Sequence, residues 1–113
     1  MRHSVELGDL VISKVFEMED GLPMSMVMPG VGAADLARLK PWFWDDTLAD
    51  DPAEASFALS IHSYVLQVDG RNILIDSCNG NHKNRSIPFA HQLDTPYLDN
   101  LAAVGLTPDD IDL

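Results

Sequence analysis

The sequence predicts a small mixed α/β domain. An alternating strand over Phe57–Val68 returns through Asp69-Gly70 into a second strand over Arg71–Asp76. A helical pattern opens at Asp94-Thr95-Pro96 and ends at Gly105. The chain has 113 residues, within the roughly 100–200 usual for one domain.

From the N-terminus, Leu10 to Phe16 reads Leu-Val-Ile-Ser-Lys-Val-Phe, whose β-branched content predicts a strand. Glu17-Met18-Glu19-Asp20-Gly21 is expected to break it. Between Pro23 and Pro29, Met24, Met26 and Met28 alternate. An edge strand or loop packing flexible thioethers into the core explains them, as does an adaptable apolar lip on a substrate pocket. Ala33 to Lys40 is rich in helix formers, carries the Leu36/Leu39 pair, and predicts a short helix stopped by Pro41. Trp42-Phe43-Trp44 then reads as the anchor of a surface loop or the lining of a pocket, and the acids from Asp45 to Glu54 as a solvated stretch.

Phe57–Val68 carries apolar residues on both faces, as in a strand covered on both sides. Asp69-Gly70 fits a type I′ turn, which needs positive φ at both central positions. Ile73-Leu74-Ile75 marks the return strand as buried. Ser77 to Pro88 is a loop containing His82, Lys83 and Arg85. In the next helix a polar N-cap precedes Pro96. Tyr97, Leu98, Leu101 and Val104 keep the helical period, and Gly105 terminates it. Thr107-Pro108 repeats the start signal, and Ile111-Asp112-Leu113 reads as the opening of a further strand.

Composition excludes several classes. Hydrophobic residues make up 46% of the chain, enough for a core. There are 18 acids against 7 bases, a net charge of -11. Such a chain repels phosphate backbones, so no nucleic-acid partner is expected. The single cysteine, Cys78, excludes an internal disulfide framework and CxxC zinc sites, and fits a reduced, cytoplasmic location. The N-terminus lacks the apolar run of a signal peptide. No stretch approaches the roughly 18 consecutive apolar residues of a membrane span, so no membrane partner is expected.

The chemistry-bearing residues form no recognisable set. His3, His62, His82 and His91 are scattered, without the short spacings of zinc ligands. Cys78 and His82, four apart, make a weak pair. No Gly-x-Ser-x-Gly and no phosphate-binding glycine loop occur. Cys78 sits in a basic loop that would lower its pKa if the bases lay close; otherwise it is an ordinary loop thiol. Composition and spacing therefore assign no catalytic residue and no metal ligand.

Ser60-Ile61-His62-Ser63-Tyr64-Val65-Leu66-Gln67-Val68-Asp69-Gly70-Arg71-Asn72-Ile73-Leu74-Ile75-Asp76-Ser77-Cys78 resembles the first hairpin of the metallo-β-lactamase-fold hydrolases, where an apolar strand ends in Asp-Thr/Ser-Gly/Cys. Asn79 to Arg85 is similar to the loop that follows in a lactonase- and esterase-like branch. Leu101 to Leu113 is similar to the helix and turn leading to the family's metal strand, and Phe16 to Phe43 to that branch's N-terminal extension. The resemblance implies part of a four-layer αββα sandwich. Residues 1–56 would be the extension with its short helix, and residues 57–113 the first hairpin, loop and helix of a single incomplete domain. The family's His-x-His-x-Asp-His motif is absent from this sequence.

The resemblance thus implies the N-terminal portion of a metal-dependent lactone or ester hydrolase, inactive by itself. Two zinc or other divalent ions are implied for the complete enzyme and none for this chain. Asp76 would support the metal loop without binding metal, and His82, Lys83 and Arg85 would belong to a pocket loop. A half-sandwich would leave apolar sheet around Val65, Ile73 and Ile75 uncovered, so self-association or a companion chain is expected. The alternative is a small acidic binding or assembly protein that keeps half the fold without the chemistry.

Overall fold

The computed structural model describes residues 4–39, 41 and 55–113, with the Phe57 side chain left out. The readings made for His3, Trp42-Phe43-Trp44 and the acids of 45–54 lie outside the described residues.

Four strands form one sheet in the order β1-β2-β3-β4: β1 Ser4–Leu7, β2 Leu10–Pro23, β3 Ser56–Val68 and β4 Arg71–Ile75. Three helices accompany them: α1 Met24–Val27, α2 Ala33–Leu39 and α3 Tyr97–Ala103. The mixed α/β class is therefore borne out. The described residues divide into two compact units, Met1–Met18 with Ser60–Leu113, and Glu19–Leu59.

In the first unit, β3 and β4 form the expected antiparallel hairpin, with Tyr64 opposite Ile75 and Val68 opposite Arg71. Asp69 and Gly70 take φ of 53° and 71°, as a type I′ turn requires. β1 pairs antiparallel with β2, from Ser4 opposite Ser13 to Leu7 opposite Leu10. The sequence reading had no strand at β1, which is four residues long and exposed throughout.

The expected break at Glu17 does not occur; β2 continues to Pro23. The alternation of Ser13, Val15 and Glu17, all buried, carries on through the acid. The strand accommodates Glu17 because two backbone N–H groups donate to its carboxylate, as described below.

One sheet face packs on α3. Val15, Val65, Leu101 and Leu106 form the core, and Leu74, Tyr97, Val104 and Ile111 pack against it. Val65 is thus fully buried, contrary to the expectation that it would lie uncovered. Ile75, by contrast, is 50% exposed. α3 starts one residue after Pro96, and no side chain caps it. It ends before Gly105, whose φ of 84° is the left-handed terminator expected there. The final segment runs along β4: the Asp112 N–H donates to the Asn72 carbonyl and the Leu74 N–H to the Leu113 carbonyl. Both bonds advance in the same chain direction, as in a parallel pairing.

In the second unit, Met24, Leu36 and Ala55 are buried together, with Val31 packed against them. Met24 and Met26 lie in a helical turn that ends at Met28, not in a strand or loop; Met24 is buried while Met26 is 68% exposed. α2 follows as expected. The Gly32 N–H donates to the Asp35 carboxylate, and Arg38 pairs with the same group. That backbone hydrogen bond, with Arg38 adding to it, holds the Asp35 carboxyl below its ordinary range.

Candidate functional site

Chemistry-bearing side chains converge in the first unit, where the loop leaving β4 meets β2, β3 and α3. Ser63, on the buried face of β3, is fully enclosed. Its hydroxyl lies within hydrogen-bond distance of the Asp76 carbonyl, 2.6 Å from Tyr97 Oη and 3.3 Å from Cys78 Sγ. A carbonyl only accepts, so the Ser63 proton goes to Asp76. The Tyr97 hydroxyl and the Cys78 thiol then donate to Ser63 Oγ, which has two lone pairs. One serine ties the end of β4, the following loop and the first turn of α3 together.

The loop is secured from the other side by Glu17, which is 1% exposed. Its two carboxylate oxygens accept the N–H groups of Asn79 and Gly80, at 3.0 and 2.8 Å. Downstream, Asn81 grips Thr95: its amide donates to the Thr95 carbonyl, while its side-chain oxygen accepts the Thr95 N–H and hydroxyl. The His82 N–H donates to the Leu93 carbonyl, and the Gln92 N–H to the Lys83 carbonyl. Residues 79–85 are thereby laid against residues 91–95.

Asp76 stands at the end of β4 as expected, but its side chain is exposed, not buried. Its φ of 63° turns the chain sharply, and its carboxylate accepts the Cys78 N–H at 2.8 Å. This is an Asx-type turn. The left-handed backbone swings the side chain off the buried face, leaving its carbonyl to meet Ser63.

His82, Lys83 and Arg85 are all exposed. His82 Nε2 lies 3.7 Å from an Asp94 carboxylate oxygen. Arg85 turns back on its own loop, donating from its guanidinium to the Asn79 carbonyl at 3.1 Å. Its backbone N–H donates to His91 Nδ1. Lys83 folds over Gly80: a Cβ placed on Gly80 would meet Lys83 Nζ at 2.8 Å. The three bases thus share one loop surface.

The basic loop does not activate Cys78. The thiol is pushed up from its ordinary range, first by burial and further by the Glu17 and Asp76 carboxylates, with the Ser63 hydrogen bond opposing. The charges acting on it, Glu17 and Asp76, are acidic, and the Arg85 guanidinium donates to the Asn79 carbonyl. Burial likewise raises the Tyr97 phenol.

Sequence reasoning missed Glu17, Ser63, Asn81 and Tyr97 as site residues. The available signal was Glu17 itself, an acid in phase with Ser13 and Val15 on the inward face of β2.

Elsewhere in this unit, a groove of about 910 Å³ is lined by Ser4, Glu6, Lys14, Phe16, Asn100 and Val104 among others. None of Asp76, His82, Lys83 and Arg85 lines it, so size alone does not make it the site of the loop's chemistry. Among the described residues no three His, Cys, Asp or Glu side chains are grouped so as to hold a metal ion. Nor is any helix among them long and apolar enough to cross a membrane.

No protein-family profile matches the sequence, and no curated protein matches it. Among solved structures, the chain is similar to the hydrolase AbOPH of the beta-lactamase superfamily. The two are 21% identical and superimpose with a TM-score of 0.64, over 97% of this chain and 33% of that one. The fold inferred from the hairpin motif is borne out: this chain has the metallo-β-lactamase fold over a segment spanning a third of the hydrolase it matches.

Proposed function

We propose that this chain, having the fold of one third of a beta-lactamase-superfamily hydrolase, is the N-terminal segment of a metal-dependent hydrolase for lactones or esters. The superposition over 97% of its residues supports this reading. The described residues group no three metal-ligating side chains, so a divalent ion does not fit a site made by them. Their contribution is a shaped loop beside the chemistry. In this reading Asp76 orients the neighbouring metal loop, and His82, Lys83 and Arg85 form a basic rim suited to a polarised carbonyl or the carboxylate product. A cytoplasmic location and the lack of a nucleic-acid partner belong to the same proposal, supported by the single cysteine and the acidic charge.

Association completes the proposal, either with a second copy or with a companion chain. Tyr64 and Ile75 are cross-strand partners and are 42% and 50% exposed, a paired apolar patch on the sheet. Light scattering over a concentration range should show a species heavier than 12.4 kDa; a compact monomer at all concentrations contradicts it.

The polypeptide that carries this segment decides the function. It should be tagged at the N-terminus, expressed from its own gene and assayed on aryl esters and lactones before and after chelation. Hydrolysis that chelation abolishes and zinc restores is the expected result. No turnover in any metal-loaded form overturns the proposal and leaves the acidic assembly protein as the better reading.

A further inference from the structure

The loop leaving β4 has an unusual backbone. Asp76, Cys78, Gly80 and His82 have φ of 63°, 59°, 77° and 55°, while the residues between them do not enter the left-handed region. Three of the four are not glycine, so the strain must be offset by something outside the loop. Between left-handed Cys78 and Gly80, the Asn79 and Gly80 N–H groups turn to the same side, towards one carboxylate. Such a concavity is a nest, and it binds anions.

Here the anion is already in place. The Cys78 N–H meets the Asp76 carboxylate, and the Asn79 and Gly80 N–H groups meet the two oxygens of Glu17. Glu17 is buried, and among the described residues no basic side chain lies within ion-pair distance of it. A buried carboxylate without a cation persists only where hydrogen bonds replace its water. The nest supplies those bonds, and the carboxylate in turn gathers the two N–H groups. Each explains the other: the acid on the inward face of β2, and the left-handed residues of the loop.

We propose that Glu17 is a positioning residue whose carboxylate is the resident anion of the nest formed by the Asn79 and Gly80 N–H groups. It sets the conformation in which that loop presents His82, Lys83 and Arg85. Only the use of this presentation in hydrolysis rests on the function proposed above; the clasp between β2 and the loop does not.

Two variants test it in the 113-residue chain. In Glu17→Gln, amide exchange at Asn79 and Gly80 should quicken at least about tenfold, while the Leu74 amide, bonded to the Leu113 carbonyl, keeps its rate. In Glu17→Ala, the thermal midpoint should fall, and sodium formate should restore it saturably. Formamide and sodium chloride at equal concentrations should not, because a nest selects a carboxylate over its neutral isostere. Unchanged Asn79 and Gly80 exchange in Glu17→Gln overturns the proposal, as does equal rescue by formate and formamide. If Glu17→Ala stays unfolded in formate, the Glu17→Gln exchange rates decide alone. A protein that hydrolyses nothing yet shows the formate pattern refutes the proposed function and keeps the clasp.

Discussion

The hydroxyls of Ser63 and Tyr97, 34 residues apart in the chain, meet at 2.6 Å where β3 packs against the first turn of α3. The Ser63 proton is committed to the Asp76 carbonyl, so Tyr97 is the donor and Ser63 the acceptor of this bond. A single buried oxygen thereby couples three segments that are distant in sequence.

Removal of that oxygen should cost more than removal of its partner. Ser63→Ala leaves the Asp76 carbonyl, the Tyr97 hydroxyl and the Cys78 thiol without their shared partner, and should destabilise the fold by about 1–3 kcal/mol. Tyr97→Phe loses one bond and should cost about 0.5–1.5 kcal/mol. Urea unfolding of both variants measures the difference. A neutral Ser63→Ala would show that the hydroxyl is dispensable.

Stability should fall at alkaline pH through Cys78 and Tyr97. Both groups have raised pKa values in the folded state, so the native state keeps their protons longer than the unfolded chain does. Their contribution is complete below the unfolded thiol value of about 8.5 and declines as pH rises through the folded values. Denaturant titrations at several pH values should show this decline, and Cys78→Ala should flatten its first part. A wild-type curve flat above the unfolded thiol value would contradict the expectation.

The two leucines of α3 should respond differently. Leu101 is 3% exposed in the core and Leu98 is 56% exposed. Leu101→Ala should lose about 2–5 kcal/mol through transfer and cavity terms. Leu98→Ala should stay within about 0.5 kcal/mol of wild type. Chemical denaturation checks both, and equal losses would mean that α3 does not pack by the face described.

Gly105 should resist substitution for a purely conformational reason. Its φ is 84°, and a Cβ there would meet nothing within 4 Å. Gly105→Ala should therefore cost about 1–2 kcal/mol from left-handed strain alone. Gly105→Asn should cost less, because asparagine tolerates that region. Thermal denaturation ranks the three proteins.

Asp76→Asn separates the charge of this residue from its turn. The asparagine side-chain oxygen still accepts the Cys78 N–H, so the 113-residue chain should change little in stability. Under the function proposed above, the same change in a longer polypeptide that carries this segment should lower metal content or turnover about 10–100-fold, the effect typical of groups that orient metal ligands. Wild-type turnover and metal content there would remove Asp76 from the proposed role.

Local sequence determined the elements whose physics is local. Asp69-Gly70 specified the β3–β4 hairpin because few dipeptides tolerate positive φ twice, and the run Leu101, Val104, Gly105 marked where α3 packs and stops. The hairpin motif ending in Asp76, followed in order by Thr107-Pro108 and Ile111-Asp112, indicated the fold. Tertiary structure decided what depends on long-range partners. Glu17 looked like a strand breaker because a carboxylate rarely faces a core; two N–H groups 62 and 63 residues away make it a core residue. Cys78 read either as a thiol activated by the bases beside it in sequence or as an ordinary loop thiol; its spatial neighbours, Ser63 and two acids, make it the second. Asp76 closes an apolar run read as a buried strand, but its left-handed backbone turns its side chain outward. Charge and burial are properties of neighbours in space, and a sequence fixes those only after the chain has closed on itself.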